Sequence, residues 1–179
     1  MSKEPVLETE RLLLRPITLD DAEACFSWNS DERVAKFMSY TRYTDISKTI
    51  EWIKSTFADN NEWNWAFVLK KENKVIGTGS IGQDSLMKGY WGIGYNIHYD
   101  YWNNGYTTEA MKAVIEFAHN ELGANKICSE HAVDNHASGR VMEKCGLKFH
   151  HYGEYTKLDG SQTFKAKFYT LEFDEERCE

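Results

Sequence analysis

The sequence predicts one α/β (α+β) domain, built on a mixed, mostly antiparallel sheet of about seven strands with about four helices. Three observations carry this. Apolar residues alternate with a period of two through the middle of the chain, then switch to a helical period after Gly105. Helical and strand segments are interspersed rather than grouped. The central strand-like runs are joined by connections too short for crossover helices, so they form an antiparallel meander. With 179 residues, 41% apolar composition and no Pro/Gly/Ser-rich linker or internal repeat, residues 1–179 read as a single domain.

The elements follow in order. Residues 6–16 alternate Leu12 and Leu14 as a strand. Residues 18–29 read as a helix, with Thr18 as N-cap and acids in the first turn. A short helical turn covers 30–38. The next helix starts at the cap Asp45 and places Ile46, Ile50, Ile53 and Phe57 on one face. Trp63, Trp65, Phe67 and Leu69 share one face of a strand, and residues 74–84 and 89–100 supply two more. Met111, Val114, Ala118 and Leu122 make a helical stripe that Gly123 ends. Residues 125–133 form a strand, and 134–146 a short helix with Val141, Met142 and Cys145 inward. A β-hairpin turning at 158–160 closes the chain. On a regular strand, His150 and His151 point to opposite faces, which prevents joint chelation.

Composition excludes several functions. The net charge of −7 disfavours nucleic acid and suits a cationic substrate weakly. No apolar run reaches the roughly 20 residues of a membrane span. The opening residues lack the apolar stretch of a signal peptide, so the expected location is cytoplasmic. Cys25, Cys128, Cys145 and Cys178 form neither a C-x-x-C pair nor a zinc spacing, which predicts reduced, buried thiols and no metal. The charged tail from 173 to 179 is expected to fray.

The stretch YWNNGYTTEA, residues 101–110, holds the functional signal. Asn104-Gly105 could close a type I′ hairpin, but a helical stripe follows instead of a strand. The alternative is strand, tight loop, helix N-terminus. Asn and Gly tolerate left-handed backbone, and the first N–H groups of the helix lack intrahelical partners. With the helix dipole they form an anion site suited to phosphate or pyrophosphate, and Thr107 and Thr108 add hydroxyls. Glu109 would repel phosphate if it pointed inward, so it is expected to face away and support the loop. No Walker lysine and no dinucleotide fingerprint are present.

YWNNGYTTEAM resembles the acyl-CoA pyrophosphate loop of the GNAT N-acetyltransferases, in their RimJ/RimL-like branch. ETERLLLRPITLDDAE resembles that branch's opening strand and helix, and DNHASGRVMEKCGLKF its Asn-x-x-Ser element. The likeness covers nearly the whole chain in order. Asn103 and Thr107 depart from the glycine and small residue usual there, and Leu147 replaces a phenylalanine. The resemblance implies a sheet splayed between its fourth and fifth strands, with acetyl-CoA as cosubstrate in the opening. It implies that Asn103, Asn104, Gly105, Tyr106, Thr107 and Thr108 bind pyrophosphate. Backbone groups of Asn96, Ile97 and His98 would bond the pantetheine arm, and Asn135 its end. Ser138 would sit near the sulfur.

The implied reaction is direct transfer to a primary amine. An α-amine is already roughly 10–20% neutral at pH 7, whereas a lysine is under ~0.1% neutral, so only the lysine needs strong base catalysis. An N–H near Ile97 would stabilise the oxyanion. Ser138 is the candidate general acid, with Tyr152 and Tyr155 behind it. Glu154 and His98 are the candidate bases. The acceptor is a protein N-terminus or a small amine or antibiotic, chosen by loops around 28–45 and 150–162. A competing class is a non-catalytic acyl-CoA sensor. Monomer and homodimer both fit.

Overall fold

The computed structural model describes residues 4–173. Cys178 and residues 174–179 of the charged tail lie outside the described residues. Eight strands form one sheet in the order β1-β2-β3-β4-β5-β6-β8-β7. The strands are β1 (Leu7–Glu8), β2 (Leu12–Pro16), β3 (Glu62–Leu69), β4 (Lys74–Gln83), β5 (Trp91–Ile97), β6 (Lys126–Ala132), β7 (Lys148–Thr156) and β8 (Thr163–Glu172). The helices are α1 (Ala22–Asn29), α2 (Glu32–Ala35), α3 (Ile46–Ala58), α4 (Tyr106–Leu122) and α5 (His136–Lys144). The extra strand arises because the expected first strand is broken by a turn at Thr9, whose N–H donates to Leu12 O at 2.9 Å and whose hydroxyl oxygen accepts Leu12 N at 3.0 Å.

α4 and α5 cover one face over a core that includes Leu12, Trp65, Phe67, Met111 and Met142. α1 and α3 cover the other over Cys25, Trp28, Ile53 and Ala66. On α4 the stripe is as expected, with Met111, Val114 and Ala118 fully buried and Gly123 closing the helix at φ 67°. On α3 it is not. Thr49, Ile53 and Thr56 are buried, while Phe57 is 55% exposed. The helix is turned so that buried threonines face the core; the Thr56 hydroxyl satisfies itself on Ile53 O at 2.8 Å.

A second correction concerns the histidine pair. A β-bulge between Phe149 and His151 breaks the alternation of β7, and the Nδ1 atoms of His150 and His151 lie 2.7 Å apart. Among the described residues, no group of three or more metal-ligating side chains forms there or elsewhere. Cys25, Cys128 and Cys145 are buried free thiols, and burial pushes Cys145 up to about 11. No helix among the described residues is long and apolar enough to cross a membrane.

The feature that creates the site is the one parallel junction. β5 and β6 are paired at only two positions, Trp91 with Ile127 and Gly92 with Cys128. Beyond Ile93, whose carbonyl accepts the Ser129 hydroxyl at 3.0 Å, the strands part. The sheet is splayed there, as expected between the fourth and fifth of the seven anticipated strands.

Candidate active site

The splay opens a cleft of about 790 Å³ that runs from the N-terminus of α4 to the start of α5. At its far end Asn103 has φ 61° and Gly105 φ 78°, the two left-handed residues that turn the chain into α4. Asn is among the few side chains that tolerate this backbone, so it can stand where a second glycine is usual. The first intrahelical bond of α4 runs from Glu109 N to Gly105 O. The N–H groups of Tyr106, Thr107 and Thr108 therefore have no helical partner, and all three residues line the cleft.

Glu109 turns away from the cleft, as its charge requires. Its carboxylate accepts from the Thr9 hydroxyl at 2.6 Å, from Arg11 N at 2.8 Å and from Arg11 Nε at 2.6 Å. Arg11 Nη1 in turn donates to Asn104 O at 2.9 Å, and its guanidinium lies over the Tyr106 ring. Despite the cost of its burial, these partners hold the Glu109 carboxyl below its ordinary range. Asn104 is absent from the cleft lining. Its amide donates to Tyr101 O and Trp102 O, so it shapes the loop.

Strand register corrects the expected pantetheine contacts. His98 N donates to Ile76 O on β4 at 2.8 Å. Antiparallel alternation then directs the main-chain groups of Asn96 toward β4 as well, through its register with Thr78. The groups facing the gap belong to Tyr95 and Ile97, and the Ile97 carbonyl already accepts Trp102 Nε1 at 3.0 Å. A spacing rule read from sequence cannot assign this parity, because it depends on pairing with β4.

At the near end, Asn135 caps α5 by accepting Ser138 N at 3.4 Å. Ser138 Oγ lies 2.9 Å from Tyr95 Oη, which also donates to Ser138 O at 3.1 Å. Tyr95 was missed in the sequence, where it stands in an aromatic strand without a motif. Burial raises its phenol above the ordinary range, so it stays protonated. Gly139 lets α5 sit on β6, since a Cβ there would meet His131 Nε2 at 2.7 Å.

Neither candidate base lies in the cleft. Glu154 is exposed on β7, opposite Lys165. His98 accepts from Asp100 N and lies edge-on to Tyr101, outside the cleft lining. Tyr152 is 68% exposed and also outside it, whereas Tyr155 lines the cleft but spends its hydroxyl on Phe37 O at 2.7 Å. The carboxylate that does face the gap is Glu130 on β6. Burial, then Asp84, raises its pKa above the ordinary carboxylate range.

Through the gap, the cleft meets a second hollow of about 430 Å³ on the α1–α3 face. Met38, Tyr95, Asn96 and Glu130 line both. The two differ in charge. Arg33, Lys36, Arg140 and Lys144 line the cleft, where Glu130 is the sole carboxylate among the described residues. Among the described residues, no lysine, arginine or histidine lines the hollow. Of the loops expected to select the acceptor, Met38, Ser39, Tyr40 and Tyr43 do line the hollow. The β7–β8 hairpin instead holds that loop: Leu158 N donates to Ser39 O, and Lys157 Nζ to the carbonyls of Ala35, Met38 and Tyr40.

The family model of the acetyltransferase (GNAT) domain matches residues 11–148. The chain is 33% identical over 150 residues to the uncharacterized N-acetyltransferase YoaA of Bacillus subtilis (strain 168), covering 80% of this chain and 83% of that one. Among solved structures, a GNAT-family acetyltransferase from Bacillus anthracis superposes with a TM-score of 0.82 at 24% identity, covering 94% of this chain and 98% of the other. A ribosomal-protein-S5-alanine acetyltransferase from Vibrio fischeri superposes with a TM-score of 0.77 at 18% identity, covering 96% and 98%. The matched domain takes in β5, the loop into α4, β6 and α5, the parts that line the cleft, and the chain belongs to the GNAT family of acetyl-CoA-dependent N-acetyltransferases.

Proposed function

We propose that the chain binds acetyl-CoA along the β5–β6 cleft and acetylates a primary amine delivered from the hollow on the opposite face. The observation that carries this is the opposed charge of two spaces joined at one gap: cations face an anionic cosubstrate, and carboxylates face a cationic acceptor. Acetyl-CoA supplies the activated acetyl thioester. The N–H groups of Tyr106, Thr107 and Thr108 fit its pyrophosphate, and Lys144 and Arg140 add positive charge nearby. The gap-facing N–H groups of Tyr95 and Ile97 fit the amide-bearing arm and the developing negative charge on the carbonyl oxygen. Asn135 keeps its side-chain NH₂ for the same arm while its oxygen caps α5.

Glu130 takes the proton that the attacking amine must lose. Its raised pKa brings it nearer the working pH of a general base than an ordinary glutamate. As the C–N bond forms and the C–S bond breaks, the leaving thiolate takes a proton from Ser138, which Tyr95 holds in place and can resupply. Ser138 thus keeps its expected role, and Glu130 replaces Glu154.

Two acceptors fit the chemistry. The RimJ/RimL-like loop and the likeness to the Vibrio fischeri fold support a protein α-amine. The acidic hollow, about 430 Å³ in volume, supports a small cationic amine. Thiol release from acetyl-CoA, followed across N-terminal peptides and small amines, tests the proposal; binding of acetyl-CoA with no release on the whole panel would refute the enzymatic role of the site.

A further inference from the structure

The bulge in β7 gathers two metal-ligating side chains that a regular strand would separate. It lies between Phe149 and His151, and Nδ1 of His150 stands 2.7 Å from Nδ1 of His151. Both residues are exposed on the edge strand of the sheet, and neither lines the cleft or the hollow. The pair is separate from the acetyl-transfer site and does not depend on it.

Two lone pairs at that distance repel, so a hydrogen stands between them: one ring donates its Nδ1–H and the other accepts it. A metal ion can take the place of that hydrogen and accept both lone pairs. The two rings are prepared for this to different degrees. His151 lies flat on Phe168, with ring centroids 4.6 Å and planes 13° apart, and Phe168 is itself buried in the sheet. One nitrogen is thereby held in place. The His150 ring stands at 80° to its neighbour and turns about a soft χ2 torsion. Its rotation brings the second lone pair onto the same ion, which enters directly from solvent.

The separation selects the ion. Two nitrogens about 2.0–2.1 Å from a metal lie about 2.8–3.0 Å apart at a right angle, and about 3.3–3.4 Å apart at the tetrahedral angle. The spacing of 2.7 Å is near the first and well short of the second. Right-angled nitrogen sites suit Cu(II) and Ni(II), tetrahedral ones suit Zn(II), and Mg(II) and Ca(II) prefer oxygen.

We propose that His150 and His151 form a surface chelate for one ion of the Cu(II) and Ni(II) class, each giving its Nδ1, with water in the remaining positions. Among the described residues no third ligand joins them, so the pair alone holds the ion. On binding, the hydrogen of the donor ring moves from Nδ1 to Nε2 through solvent. The neutral pair loses no proton overall, and no oxidation state changes.

The test is calorimetric titration of the whole chain with Ni²⁺, and separately with Zn²⁺, at pH about 8, above the ordinary histidine range. Ni²⁺ should fill one site per chain, with Zn²⁺ about tenfold weaker. His150→Gln and His151→Gln should each weaken Ni²⁺ at least tenfold, because the second nitrogen then no longer binds as part of a chelate. No heat with Ni²⁺, Ni²⁺ bound equally well by either variant, or Zn²⁺ bound as tightly as Ni²⁺ overturns the inference. Should His151→Gln, which loses the stack on Phe168, fail to fold, His150→Gln and the ranking of the two ions by the unaltered chain decide.

Discussion

Lys157→Met separates positioning from stability. Lys157 is 7% exposed, and its ammonium has no carboxylate at ion-pair distance among the described residues. It donates instead to Ala35 O at 2.9 Å, Met38 O at 2.8 Å and Tyr40 O at 2.9 Å. These carbonyls run from the last turn of α2 into the loop that walls the hollow. Three bonds to a charged donor contribute on the order of 4–6 kcal/mol gross. Burying the ammonium offsets part of this, as its lowered pKa shows. Methionine preserves the stem and its packing. Two of the freed carbonyls lie on a loop and can turn to water, so the net cost is about 2–3 kcal/mol. For a chain of this size that lowers Tm by roughly 5–10 °C. The functional effect is directional. Freed residues 38–40 should raise the acceptor KM about tenfold. Affinity for acetyl-CoA should change by less than about threefold, because the phosphate site proposed for it stands at the start of α4, which Lys157 does not touch. Steady-state kinetics with each substrate varied, beside a thermal melt, reads both. A lowered Tm with an unchanged acceptor KM would refute the claim that this lysine sets the acceptor wall.

Four further outcomes follow from the same geometry. Ser138→Ala should lower kcat about a hundredfold with acetyl-CoA affinity nearly unchanged, and an unaltered kcat at saturating substrates would remove it as proton donor. Glu109→Ala frees Arg11 from its carboxylate and so loosens Asn104; calorimetry should show acetyl-CoA binding weakened about tenfold, with acceptor KM little changed. Gly105→Ala forces a Cβ into φ 78° and should cost about 1–2 kcal/mol in a denaturant melt, with a matching loss of acetyl-CoA affinity. Because the folded pKa of Glu130 is raised, its contribution to stability is full below the unfolded value near 4.5 and is lost as pH rises through the folded value. Over that same window kcat/KM for the acceptor should climb as the base ionises, and Glu130→Gln should flatten the climb.

The order of elements, the helix caps and the tight loop into α4 were legible in the sequence, because each rests on contacts local in the chain. Asn103 and Gly105 announce left-handed backbone, the apolar spacing of α4 announces its buried face, and the two together announce an anion site. The Asn-x-x-Ser element pointed to Asn135 and Ser138, which stand together at the start of α5. What failed depended on pairing between distant strands. The parity of β5, which turns Tyr95 and Ile97 rather than Asn96 and His98 toward the gap, is set by register against β4. A bulge in β7 brought His150 and His151 together, and the rotation of α3 exposed Phe57.

The sequence by itself determined that this chain would build a mixed sheet with a left-handed turn leading into the N-terminus of its longest helix. Propensity, capping and periodicity act over a few residues and can be read there. Only the tertiary structure decided which carboxylate enters the gap. Glu130 has no motif around it, and the sequence pointed to Glu154 and His98 instead. The parting of β5 and β6 after two paired residues opens both faces of the sheet to one point, and side-chain alternation along β6 then places Glu130 there, while β7 carries Glu154 out to solvent.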